Sequence, residues 1–112
     1  MKAAHNHIII IMEYIEANLH ESLSIERIAE QFNLSPSTLQ RRFKKQYKVP
    51  MHKFILQQRM DKAMEMLKEG SHSIADVRLN VGYHDPANFT TAFIKYFHVS
   101  PSHVSKSPND TE

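Results

Sequence analysis

The residues of this chain best equipped for chemistry are cationic and crowded. Arg41, Arg42, Lys44, Lys45 and Lys48 fall within eight positions of the stretch STLQRRFKKQYKVP, threaded around Leu39, Phe43 and Tyr47. Guanidinium and ammonium groups at that density offer charge-assisted hydrogen bonds to an anion, and an extended polyanion would use all five. The charge is local to this region. Residues 1–40 sum to −3, residues 41–62 to +7 (eight basic side chains against Asp61) and residues 63–112 to −2, for a net +2. An asymmetry of this size marks a polyanion-facing patch, the plain alternative being a lysine-rich helix face turned to solvent.

Other chemistries are poorly supplied. With no cysteine there is no disulfide, no thiolate metal site and no cysteine nucleophile. Eight histidines raise the question of a metal. His5 and His7 precede the first helical pattern, however, and His98 and His103 lack a carboxylate at ligand spacing, so no metal is expected. No Ser-His-Asp order, phosphate loop or pair of carboxylates stands out, which argues against an enzyme and against a cofactor. The apolar run IIIIM at 8–12 is cut short by Glu13, too early for a signal-peptide core or a membrane span. A cytoplasmic protein is expected. At 112 residues, 41% hydrophobic, with two glycines and five prolines, the chain suits one domain or two very small lobes and argues against an all-β fold.

The elements that must position the cations follow from hydrophobic period and punctuation. Ile8, Ile11, Met12, Ile15 and Leu19 keep helical spacing and predict an amphipathic first helix. Ser24 caps a short helix with Ile25, Ile28, Ala29 and Phe32 on its apolar face, and Asn33 is suited to the left-handed conformation that ends it. Ser35 caps the next helix, about 36–47, with Pro36 in its first turn. That helix buries Leu39, Phe43 and Tyr47 and turns Ser37, Arg41, Lys44, Lys45 and Lys48 outward, with Gln40 on the flank and Arg42 nearest the buried side. Two short helices joined by a tight turn, the second with a basic outer face, predict a helix-turn-helix. A longer helix opens at Pro50 and stops at Gly70.

The plan then restarts. Ser24/Ser73, Ile25/Ile74, Ile28/Val77, Phe32/Val81 and Leu34/Tyr83 match at an offset of 49. Pro36/Pro86, Leu39/Phe89, Phe43/Phe93, Tyr47/Phe97 and Val49/Val99 match at 50, because the second turn is one residue longer. Ten matches in order predict two copies of one unit. The connecting helix is roughly 28 Å long at 1.5 Å per residue, and the major groove returns to one face of B-DNA about every 34 Å. Two such units could thus enter successive grooves.

The run from about Ile8 to Val104 resembles the DNA-binding domain of the AraC/XylS transcription regulators. The segments LSIERIAEQFNLSPSTLQRRFKK, FILQQRMDKAMEML and SIADVRLNVGYHDPANFTTAFIKYFHVSP carry the likeness. It implies an all-α fold of about seven helices: two helix-turn-helix units, homeodomain-like subdomains, joined by a long linker helix. The expected division is 6–49, 50–70 and 71–105, with a flexible tail at 106–112, all within one AraC-type region spanning 1–112. By resemblance Ser37, Gln40 and Arg41 take the base-reading positions of the first unit, and Ala87, Asn88 and Thr91 those of the second. Arg41 can bond guanine bidentately, Gln40 adenine, and Thr91 can offer its methyl to thymine. Arg42, Lys44, Lys45, Lys48 and Lys95 are expected at phosphates, which set register and affinity.

Several residues depart from the family's habit: Thr91 for an arginine, Ile94 for a lysine, Arg78 for a small alanine, and His98 for a glycine, with Lys48 at the equivalent place in the first unit. These point to a second unit that extends or positions the contact with a weaker or more apolar readout. They also motivate an alternative, a protein-interaction module that keeps the fold. The expected partner is double-stranded DNA, with RNA polymerase a further candidate and no membrane. Only about seven residues precede the first apolar helix, so a fragment or a small stand-alone regulator is expected, monomeric or part of a larger dimeric one.

Overall fold

Capping chemistry marks where five of the helices begin. The computed structural model describes the backbone of residues 2–105 and side-chain environments from Ile8 to Ser105. The tail expected over 106–112 lies outside the described residues. Within them the chain is all-α: α1 (Lys2–Ala17), α2 (Ile25–Gln31), α3 (Pro36–Tyr47), α4 (Met51–Glu69), α5 (Ile74–Asn80), α6 (Pro86–Phe97) and α7 (Pro101–Val104). The side chains of Ser24, Ser35, Ser73, Asp85 and Ser100 each accept a hydrogen bond from the N–H three residues on, satisfying a donor the helix itself leaves open. Pro36, Pro86 and Pro101 sit in the first turns, where no N–H is needed. One boundary differs from expectation. The first helix begins at Lys2, not near Ile8; Ala3 and Ala4 are strong helix formers that an apolar-spacing argument does not register.

The described residues fall into two compact units that divide between Gln57 and Gln58, inside α4. In the first, Ile11 and Ile15 of α1, Ile28 of α2, and Leu39 and Phe43 of α3 lose all solvent contact, and Phe54 from the start of α4 closes over Phe43 with ring centroids 5.2 Å apart. In the second, Met60, Ala63 and Leu67 of α4 join Val77, Val81, Phe89 and Phe93 as fully buried residues. Tyr47 and Phe97, expected in the core with the rest of the spine, are only half-buried. Each occupies the last turn of its helix and packs on the ring before it, at 5.3 Å for Phe43–Tyr47 and 4.8 Å for Phe93–Phe97. The spine leaves the core as the helix does.

The repeat reaches the backbone. After α2, the N–H groups of Phe32, Asn33 and Leu34 donate to the carbonyls of Ile28, Glu30 and Ala29; after α5, those of Val81, Gly82 and Tyr83 donate to Val77, Leu79 and Arg78. These are the same three bonds at the offset of 49 residues. The turns need a left-handed residue, supplied by Asn33 (φ 56°) and Gly82 (φ 93°). The C-caps also correspond: Lys48 (φ 66°) and His98 (φ 65°) are left-handed, and each N–H returns to the carbonyl four residues back at 2.7 Å.

A left-handed residue with a Cβ costs about 1 kcal/mol relative to glycine. Replacing His98 by glycine is therefore expected to stabilise the second unit by about 0.5–1 kcal/mol, less than the full steric cost because glycine also loosens the unfolded chain. A rise in the urea midpoint checks this.

Candidate nucleic-acid interface

The first unit presents its cations as the sequence arranges them. With Leu39 and Phe43 buried, Ser37, Gln40, Arg41, Arg42, Lys44, Lys45 and Lys48 are all exposed. Arg42, expected nearest the core, is exposed like its neighbours. α3 contains no acidic residue, and among the described residues none of these five cations is in an ion pair. Lys44 and Lys45 lie in the last turn, where they also complement the negative end of the helix dipole. Six of these polar side chains lie on the outside of one twelve-residue helix and Lys48 caps its end; among the described residues the five cations have no ion-pair partner, so the surface lacks its counter-charge. Thr38 is the exception: half-buried, its hydroxyl accepts from Ser35 at 2.9 Å and it serves the cap.

The second unit offers another surface on the same backbone. Ala87, Asn88, Thr91, Ile94 and Lys95 are exposed while Phe89 and Phe93 are buried. At the offset of 50, Ala87 stands for Ser37, Thr91 for Arg41, Ile94 for Lys44 and Lys95 for Lys45. Asn88 stands for Thr38 but is exposed; Asp85 accepts from its backbone N–H as Ser35 does from that of Thr38, whose side chain in addition accepts from the Ser35 hydroxyl. An open concavity of about 580 Å³ lies alongside, walled by Gly82, Tyr83, His84 and Asp85 of the turn and by Asn88, Thr91 and Ala92 of α6.

What holds that turn was not foreseen from sequence. Arg78 Nη1 donates to the Tyr83 carbonyl at 3.0 Å and to the His84 carbonyl at 2.7 Å. Arg59, on α4, donates to the Val81 carbonyl and lies 6.0 Å from the centre of the Tyr83 ring. Two guanidinium groups thus fix the segment that delivers α6. The first unit has buried Ala29 at the position of Arg78, and its turn is one residue shorter. The signal available in the sequence was the arginine at 78 where a small residue is usual. Nothing local marked Arg59, which is 22 residues from its acceptor. Burial pushes the Tyr83 hydroxyl above the ordinary tyrosine value against an opposing pull from Arg59, and burial likewise lowers the Arg59 guanidinium.

Among the described residues no three histidine or carboxylate side chains are grouped to hold a metal, and no helix is long and apolar enough to cross a membrane.

Residues 28–107 match the family described as "Helix-turn-helix domain". The Msm operon regulatory protein of Streptococcus mutans is 34% identical over 96 residues, 86% of this chain and 34% of that protein. The chain spans about a third of the length of the curated relatives it matches. Among solved structures, the C-terminal domain of AraT, a response regulator from Geobacillus stearothermophilus, is 28% identical with a TM-score of 0.83, covering 95% of this chain and 88% of that one. A transcriptional regulator of the AraC-type DNA-binding domain-containing proteins, from Chromobacterium violaceum, is 25% identical with a TM-score of 0.77 over 93% of each chain.

Two measurements check the turn lock. Arg78→Ala is expected to lower the stability of the second unit by about 1–2 kcal/mol, the range for hydrogen bonds from a charged, partly exposed donor, although alanine is the residue the first unit carries there. Because the folded state holds the Tyr83 proton to a higher pH than the unfolded state does, its contribution is fully present below the ordinary tyrosine pKa of about 10 and is lost as pH rises through the folded value. Urea midpoints should therefore fall above about pH 10, and less steeply in Tyr83→Phe.

Proposed function

Because this chain belongs to the AraC/XylS family of helix-turn-helix transcription regulators, we propose that it is the DNA-binding part of such a regulator. It recognises double-stranded DNA in a sequence-specific way. The observation that carries this reading is the outer face of α3, with five exposed cations and, among the described residues, no ion-pair partner for any of them. A row of phosphates supplies the missing counter-charge, and release of condensed counterions drives the association.

In this reading α3 and α6 are the reading helices and occupy successive major grooves. Arg41 bonds guanine through two of its guanidinium nitrogens, and Gln40 and Ser37 read beside it. Arg42, Lys44, Lys45 and Lys48 meet phosphates and set the register, with Lys95 doing so for the second unit. Ala87, Asn88 and Thr91 face the bases from α6. The role is that of a cytoplasmic regulator and not an enzyme; RNA polymerase is the second macromolecule such a regulator would touch, and the chain acts as a monomer or within a larger dimer. The family match favours this over a protein-interaction module on the same fold.

Selection of duplexes from a randomised library, followed by titration of the winners at two salt concentrations, tests the reading. Two sequence blocks about ten base pairs apart are expected, with a log–log salt slope of roughly −4 to −5 for five phosphate contacts. Arg41→Ala should weaken binding to the selected duplex by about 5- to 150-fold and relax preference at one base pair. Lys45→Ala should weaken all duplexes alike and reduce the slope by about 1. Unchanged affinity in Arg41→Ala combined with Lys44→Ala would count against DNA as the partner.

A further inference from the structure

The outer face of α6 carries chemistry of its own. Ala87, Thr91 and Ile94 follow one another at spacings of four and three, so they form a single stripe along the helix. All three are exposed, and Ile94 keeps 42% of its surface in water. Each ends in at least one methyl group. Asn88 and Lys95 flank the stripe, and these two bring the only side-chain amide and the only charge on the exposed face of α6. The matching stripe on α3 is Ser37, Arg41 and Lys44. The turns before both helices share three backbone hydrogen bonds, the second turn being one residue longer, and the outer faces differ in their chemistry.

Within the proposed DNA-binding function, on which this inference rests, we propose that α6 reads thymine 5-methyl groups. The C5-methyl of thymine is the apolar group that base pairs present in the major groove; apart from the cytosine C5–H, the other edge groups there are donors or acceptors. Alanine, threonine and isoleucine methyls can exclude water from it, and the Asn88 amide can pair bidentately with an adjacent adenine, an A·T selection from both sides. The half-site of the second unit is then rich in A·T pairs, while Arg41 draws the first unit to guanine. A protein partner suits the stripe less well. Three short side chains interrupted by a hydroxyl and edged by Asn88 and Lys95 fall far below the roughly 800 Å² per partner of a stable protein interface.

The test is a uracil scan with the 112-residue chain. In a duplex obtained by the selection above, each thymine in turn is replaced by deoxyuridine, which removes the methyl and leaves the hydrogen-bonding edge intact. Two or three positions within one block are expected to lose about fourfold in affinity each, the value of one buried methyl-sized group. The combined variant Thr91→Ser, Ile94→Ala should bind the thymine duplex more weakly and lose its sensitivity to uracil at those positions, as a coupled pair must. Ile94→Lys should also lose that sensitivity at its own position while steepening the salt slope by about 1. Binding that depends on Arg41 yet ignores uracil everywhere would overturn this inference and leave the DNA-binding reading standing. Uracil sensitivity that persists unchanged in Thr91→Ser, Ile94→Ala would overturn it too, since another element would then be reading the methyls. Failure to enrich any duplex would overturn both.

Discussion

One backbone device underlies everything else in this chain: a left-handed residue that ends a short helix and lets the next N–H reach back to the carbonyl five residues earlier. Asn33 does this ahead of the Leu34–Ala29 bond and Gly82 ahead of the Tyr83–Arg78 bond. L-residues avoid that region, which is why an asparagine and a glycine hold these positions. Once the turn is made, the second helix of each unit starts at a fixed place and a side-chain cap locks its first turn. The buried aromatic spine then settles which side of that helix looks outward. No outward-facing side chain takes part in building the turn.

That separation explains how two units with the same hydrogen bonds carry different surfaces. The inner positions are constrained by packing: Leu39 and Phe43 in one unit, Phe89 and Phe93 in the other, all without solvent contact. The outer positions answer to nothing inside the chain, so a cationic face and a methyl-bearing face are equally compatible with the fold. In the second unit, where the turn is one residue longer, Arg78 and Arg59 donate to the carbonyls of Tyr83, His84 and Val81.

Much of this was legible before any coordinates. Serines before apolar runs, prolines just inside the helix starts and the spacing of the spine are local signals with local causes, and they located α2 to α6. The offset of 49 and then 50 exposed the doubled unit because packing repeats whenever the backbone does. Less legible were features that depend on residues far apart or on the edge of a core. The bond from Arg59 to Val81 joins α4 to a distant turn and has no periodic trace. Tyr47 and Phe97 continue the spine in the sequence, yet each lies where its helix passes beyond its unit's interior. For the outward faces, Arg41 and its neighbours declared themselves by charge. The α6 face showed itself less directly, through Thr91 and Ile94 standing where an arginine and a lysine are usual.

The unpaired cations of α3 have a consequence in time as well as in affinity. A net charge is felt across a Debye length, about 8 Å at physiological ionic strength, whereas a methyl group acts only on contact, when the water between two surfaces has gone. The two outer faces are therefore felt at different distances from an approaching polyanion, the cationic one first. In the proposed DNA-binding reading, encounter is governed by α3 and is sensitive to salt, while residence, once contact is dry, is governed by both helices and is less so.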